Sequence, residues 1–307
     1  MFLKLKNITI GYKTPLIKGV ETALDLGNIC LLIGNNGVGK TTLIKSLLNQ
    51  IPVLSGEIVL KEKNIKTLSN KEIAEQIAVV FSKSPIPANY TLTDLISLGK
   101  YIHYPYYFEL KGEDKEDVEQ IIESLNLTQY RNFPLSQLSD GNLQKAFIGR
   151  ALAQNSPMII LDEPTTHLDE ENKIIILKLL RNLAKNQNKL ILFSSHDWRL
   201  SKEFADQMWM ITNKTLDAGI TEDILLQHHE MLNPQLFHIA EDFQSPEIIA
   251  PTLEKEMLYS FLQKNSKKNL SNLKFEFNDT FWVISNQNTQ HNCSSFAEIS
   301  DFLENLH

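Results

Sequence analysis

Gly34-Asn35-Asn36-Gly37-Val38-Gly39-Lys40-Thr41 decides how this 307-residue chain folds. The stretch fits G-x-x-x-x-G-K-[ST], a pattern that cradles phosphate groups. Ahead of it, Ile29-Cys30-Leu31-Leu32-Ile33 is an uninterrupted apolar run, suited to a strand buried on both faces. Behind it, residues 40–50 carry Leu43, Ile44, Leu47 and Leu48 at helical spacing. Strand, glycine loop and helix turn successive backbone N–H groups and a helix N-terminus toward an anion. The glycines let a phosphate come close to the backbone. In that setting Lys40 can neutralise β- and γ-phosphates, and the Thr41 hydroxyl can bind Mg²⁺.

Two further apolar runs end in polar residues. Met158-Ile159-Ile160-Leu161 leads into Asp162-Glu163, and Pro164-Thr165-Thr166-His167-Leu168-Asp169 follows directly. An aspartate at such a strand end completes a Mg²⁺ shell, which assigns Asp162 to the metal and leaves Glu163 placed to polarise the attacking water. Residues 189–193 form the other run and end in Ser194-Ser195-His196-Asp197. A histidine there can donate a hydrogen bond to a γ-phosphate or to the attacking water.

Between these landmarks lies Leu138-Ser139-Asp140-Gly141-Asn142-Leu143-Gln144-Lys145, leading into a helix through Ala153. Here the chain resembles the ATP-binding cassette (ABC) ATPases, whose signature motif reads LSGGQ in its commonest form. The other landmarks fall in the same order over residues 1 to 215. Tyr12 matches the aromatic that stacks on adenine, Gly34 to Thr42 (ending Thr41-Thr42) the Walker A loop, Leu161-Asp162-Glu163 the end of Walker B, Asp169 the D-loop and His196 the switch histidine.

The resemblance implies an α/β P-loop NTPase fold: a RecA-like core, an antiparallel β subdomain, and a helical signature subdomain over about residues 84–156. It also implies a head-to-tail pair of cassettes. ATP on one P-loop is then capped by the other copy's signature motif, through Ser139 and the Gly141 N–H. With one Walker A and one signature motif, the chain is expected to work as a homodimer with two ATP sites.

Three positions depart from the family pattern. Asp140 and Asn142 stand where Gly and Gln are usual, and Asp140 is expected to point away from the triphosphate. Ser82 follows the run Ile77-Ala78-Val79-Val80-Phe81, where the family places a glutamine that touches Mg²⁺ or the lytic water. Ser82 is shorter but can reach the metal through a water.

The segment Asn89-Tyr90-Thr91-Leu92-Thr93-Asp94-Leu95-Ile96-Ser97-Leu98-Gly99-Lys100-Tyr101 is similar to the helical-subdomain stretch of importer cassettes for ferric siderophores, haem and cobalamin. That resemblance implies a permease dimer as membrane partner and, indirectly, a solute-binding protein. The aromatic residues Tyr101, Tyr104, Tyr106, Tyr107 and Phe108 follow, as subdomain packing or a docking surface. The alternative reading is a soluble non-transport ABC ATPase, such as one serving iron–sulfur assembly.

Composition fits a peripheral subunit on the cytoplasmic face of the inner (plasma) membrane. The chain is 42% apolar, which is ample for a core. No apolar run reaches the roughly 18 residues of a membrane span, and Lys4 and Lys6 interrupt the start, so no signal peptide is expected. A net charge of −7 argues against nucleic-acid binding. The interval from Lys40 to Ser139 shows no heptad run, which excludes the coiled-coil insertion of DNA-repair relatives. Cys30 and Cys293 sit in unrelated contexts and read as reduced structural residues.

Residues 216–307 carry no such motifs. Residues 221–244 read as an amphipathic helix and 247–262 as further helix or connector. Leu273-Lys274-Phe275-Glu276-Phe277 alternates as a half-buried strand does, Phe281-Trp282-Val283-Ile284 reads as a second strand, and 296–306 has helical spacing. Together they predict a small C-terminal α+β extension. His228, His229, His291 and Cys293 do not make up the ligand count of a metal site.

Overall fold

The apolar runs become the strands of one twisted sheet in the computed structural model, which describes residues 1–82, 89–104, 110–196, 198–228, 243–266, 269–286 and 289–305. The chain divides into two compact units, Met1–Ile224 and Leu225–His307.

In the first unit, β1 (Leu3–Gly11), β2 (Pro15–Leu24), β4 (Ser55–Leu60) and β5 (Lys63–Asn64) form an antiparallel sheet in the order β2-β1-β4-β5. The central sheet holds β3 (Ile29–Gly34), β6 (Ile77–Val80), β7 (Met158–Leu161), β8 (Leu190–Ser194), β9 (Gln207–Thr212) and β10 (Thr215–Ile220), in the order β10-β9-β3-β8-β7-β6. Its pairings are parallel except for the β9–β10 hairpin. Asn213 and Lys214, both at positive φ, make the tight turn of that hairpin. Because β10 is an edge of this sheet, the first unit runs past residue 215 to Ile224.

Helices α1 (Lys40–Leu47), α2 (Asn70–Gln76), α3 (Leu92–Ser97), α4 (Gly112–Ser124), α5 (Asp140–Ala153), α6 (Glu170–Gln187), α7 (Trp198–Ser201) and α8 (Thr221–Gln227) complete this unit and its boundary. The α6 helix buries Ile176, Leu177, Leu180, Leu183 and Ala184, one face at helical spacing. Each fully buried leucine of that face stabilises the fold by about 1.5–3 kcal/mol.

The importer-like segment folds for a local reason. Thr91 and Asp94 form a capping box: the Thr91 Oγ1 accepts from the Asp94 N–H at 3.2 Å, and the Asp94 carboxylate accepts from the Thr91 N–H at 2.9 Å. This satisfies two orphan donors and starts α3 at Leu92. After α3, the buried Lys100 pairs with Asp114 and Asp117 of α4. Burial alone would lower the Lys100 pKa, but the hydrogen bond and charge of Asp117, followed by Asp114, outweigh it and hold the ammonium above its usual range. Tyr101 and Tyr104 lie within the described residues, whereas Tyr106, Tyr107 and Phe108 lie outside them.

The second unit is a mixed sheet in the order β11-β12-β13-β14, built from β11 (Glu247–Ile249), β12 (Lys274–Asn278), β13 (Phe281–Asn286) and β14 (Thr289–Cys293). Helices α9 (Thr252–Asn265) and α10 (Phe296–Glu304) join Phe275, Trp282 and Ile284 in its core through Leu258, Leu262 and Ile299. The segment 247–262, read as helix or connector, instead opens with a strand paired parallel to β12. Most of the helix expected over 221–244 lies outside the described residues; Thr221–Gln227 is helical. Cys30 and Cys293 are buried free thiols, and burial pushes both thiol pKa values up. Among the described residues no helix is long and apolar enough to cross a membrane.

Candidate active site

Three motif-bearing strands lie side by side in the order β3-β8-β7, so their C-terminal ends share one edge of the sheet. That edge is where open α/β sheets take their ligands. The glycine loop leaves β3 there, Asp162 and Glu163 leave β7, and His196 follows β8.

The loop is shaped by close approach. Gly34 sits at φ 151°, and a side chain on it would stand 2.9 Å from Val38 Cγ2 and 3.0 Å from the Ile211 carbonyl oxygen. Any residue larger than glycine would push the strand end off β9. Asn35, Asn36, Gly37, Val38 and Gly39 then turn the chain into α1, with no side-chain cap at its N-terminus. That leaves the first-turn N–H groups for a ligand. Lys40 is buried, and its ammonium donates to the carbonyls of Gly34 at 2.7 Å and Asn35 at 3.2 Å.

A chain of hydrogen bonds joins the three strand ends. The Thr41 hydroxyl donates to Asp162 Oδ2 at 3.0 Å, and the Ser194 hydroxyl donates to Asp162 Oδ1 at 2.7 Å. Ser194 in turn accepts from the Glu163 N–H at 2.8 Å. The Glu163 carboxylate accepts from the Thr166 hydroxyl at 3.1 Å, and His196 Nδ1 lies 3.6 Å from the same oxygen. Glu163 holds a positive φ of 54°. Such a backbone costs about 1–3 kcal/mol and persists only where surrounding bonds over-determine it; here Ser194 and Thr166 supply those bonds. The carboxylate is 24% exposed and the imidazole 55%, so both can meet solvent or a ligand.

Lys40, Thr41, Asp162, Glu163 and His196 are thus brought to one edge. Thr42 is buried in α1, and Tyr12, 64% exposed, follows β1. Ser139, Gly141 and Asp169 form a second group at the N-termini of α5 and α6, where Ser139 and Asp169 are the capping residues. Ser82 is exposed and lines a cleft of about 250 Å³ with Asp140, Gln144, Thr166 and His167. Asp140 is exposed in that cleft wall. Ser194 was given no role by sequence, although its hydroxyl bridges both carboxylate residues. Its signal is positional: Leu161 pairs with Phe193, so the next residue of β8 faces the acidic pair.

The family model described as "ABC transporter" matches residues 17–166. The chain is 32% identical over 222 residues to the achromobactin transport ATP-binding protein of Dickeya dadantii, covering 72% of this chain and 82% of that one. It is 29% identical over 268 residues to the iron(3+)-hydroxamate import ATP-binding protein of Bacillus subtilis, covering 87% and 97%. A chain from an inward-facing ABC transporter described as of the metal-chelate type superposes with a TM-score of 0.66 at 28% identity, covering 73% and 85%. The motifs, the fold and these likenesses agree: the chain belongs to the ATP-binding proteins of ABC transporters, the ATPase subunits of that class.

Proposed function

We propose that the chain hydrolyses Mg·ATP as one of two identical cassettes and thereby powers uptake of an iron chelate, haem or corrinoid through a separate permease dimer. The observation that carries this reading is its likeness, over 72% and 87% of its length, to proteins named for achromobactin transport and iron(3+)-hydroxamate import. The helix capped by Thr91, similar to the segment importer cassettes present to their permease, supports it.

The proposed chemistry follows from the site. Lys40 leaves its two carbonyl partners for the β- and γ-phosphates, and N–H groups of the glycine loop and of the uncapped start of α1 orient the triphosphate. Tyr12 stacks on the adenine. Thr41 and Asp162 offer hard oxygen donors of the kind Mg²⁺ takes alongside phosphate and water, and they would hold it. The ion would supply neutralisation of phosphate charge. Glu163 accepts a proton from the attacking water, and His196 donates a hydrogen bond to the γ-phosphate. Ser139 and Gly141 of the other copy close the site, while Asp169 lies along the same edge. Ser82, possessing only a hydroxyl, acts through a bridging water.

Substrate choice belongs to the permease and its solute-binding protein, and the chain works at the cytoplasmic face of the membrane. The test is uptake of radiolabelled ferric siderophores, haem and cobalamin by cells lacking this chain. Uptake of at least one chelate should be lost and restored by the wild-type chain. Uptake unchanged for siderophores, haem and cobalamin alike would overturn the importer reading.

A further inference from the structure

Gly141 raises a question the glycine loop does not. It lies in the first turn of α5, outside the positive-φ residues, so no backbone conformation calls for glycine there. Alanine would favour the helix. What forbids it is a neighbour: a Cβ at Gly141 would stand 2.8 Å from Asn172 Oδ1 and 3.0 Å from Asn172 Cγ.

One side-chain hydrogen bond, to Asp169, holds Asn172 in that place. Its backbone N–H donates to Asp169 Oδ1 at 2.8 Å, and its side-chain Nδ2 donates to Asp169 Oδ2 at 3.1 Å. One side chain therefore grips the second oxygen of the Asp169 carboxylate with its nitrogen and abuts Gly141 with its oxygen. Moving it to admit a methyl group at Gly141 would break its hold on Asp169. Gly141 and Asp169 sit at the N-termini of two different helices, and Asn172 is the part that spans them.

The geometry points to Asn172 as a positioning residue that keeps the Asp169 turn in register with the start of α5, so that both meet the opposite cassette as one rigid edge. This rests on the head-to-tail dimer proposed above. Asn172 touches no nucleotide itself; it acts through Gly141 and Asp169.

The test is second-site suppression in the full chain, with ATP turnover, its ATP dependence and the thermal midpoint read on each variant. Gly141→Ala alone should lower kcat by about 10²-fold, the scale of an ångström-sized misplacement at an active site. Adding Asn172→Ala removes the clash, and the double variant should recover roughly tenfold of that loss, a coupling expected only of groups in contact. Asn172→Ala alone should lower kcat several-fold while KM for ATP stays put, because the P-loop is untouched. The same variant keeps the proposal testable if Gly141→Ala fails to fold. A double variant no better than Gly141→Ala, or Asn172→Ala turning over like wild type, overturns it. If the wild-type ATPase rate is strictly proportional to protein concentration and no Mg·ATP-dependent dimer forms, the dimer reading falls and takes this proposal with it. Lost rescue in a chain that does dimerise removes the Asn172 proposal alone.

Discussion

Glu163→Gln should leave the fold and ATP binding intact, lower turnover by about 10²–10³-fold, the scale of losing one preorganised catalytic contact, and trap a dimer in Mg·ATP. Glutamine has the same shape, and its amide oxygen can still accept from the Thr166 hydroxyl. The Glu163 N–H bond to Ser194 does not involve the side chain, so the positive-φ backbone remains held. What is lost is a base beside His196. Phosphate release and light scattering with Mg·ATP read the two halves of this expectation. A variant that keeps most of its turnover would remove Glu163 from the chemical step.

Lys40→Met should weaken ATP binding by about 10²–10³-fold, the cost of deleting one member of a buried charge pair. Methionine keeps most of the stem that packs in α1, so folding should survive. The ammonium, in contrast, is buried with neutral carbonyl partners, those of Gly34 and Asn35. A cation held that way gains the Coulomb attraction of an anion, which neutral carbonyls do not offer. Fluorescent-nucleotide titration measures the loss. Unchanged affinity would mean that the ammonium serves only to close the loop.

The central sheet was legible in the sequence because β3, β7 and β8 are buried on both faces, which leaves unbroken apolar runs. Each runs into residues that chemistry can name, the glycine loop after β3, Asp162-Glu163 after β7 and Ser194 to His196 at the end of β8. In the second unit, β12 and β13 alternate and could be read, whereas β14 is Thr-Gln-His-Asn-Cys, four exposed residues and one buried, with no periodicity to find. The strand β11 is three residues long and takes its structure from pairing with β12 rather than from its own pattern. Within the site, Lys40, Asp162 and Glu163 are set by strand ends and local spacing. Ser194 meets Asp162 and Asn172 meets Gly141 across long stretches of sequence, which no local pattern announces. The left-handed backbone of Glu163 has no signature at all in a glutamate.

The measurement that bears most directly on the importer reading is affinity purification of the tagged chain from detergent-solubilised membranes of its own host, followed by mass spectrometry. A polytopic permease recovered in stoichiometric amount is the expected result, and its binding pocket would narrow the solute. Recovery of soluble assembly or ribosomal proteins, with no membrane protein among them, would contradict it and favour a non-transport ATPase.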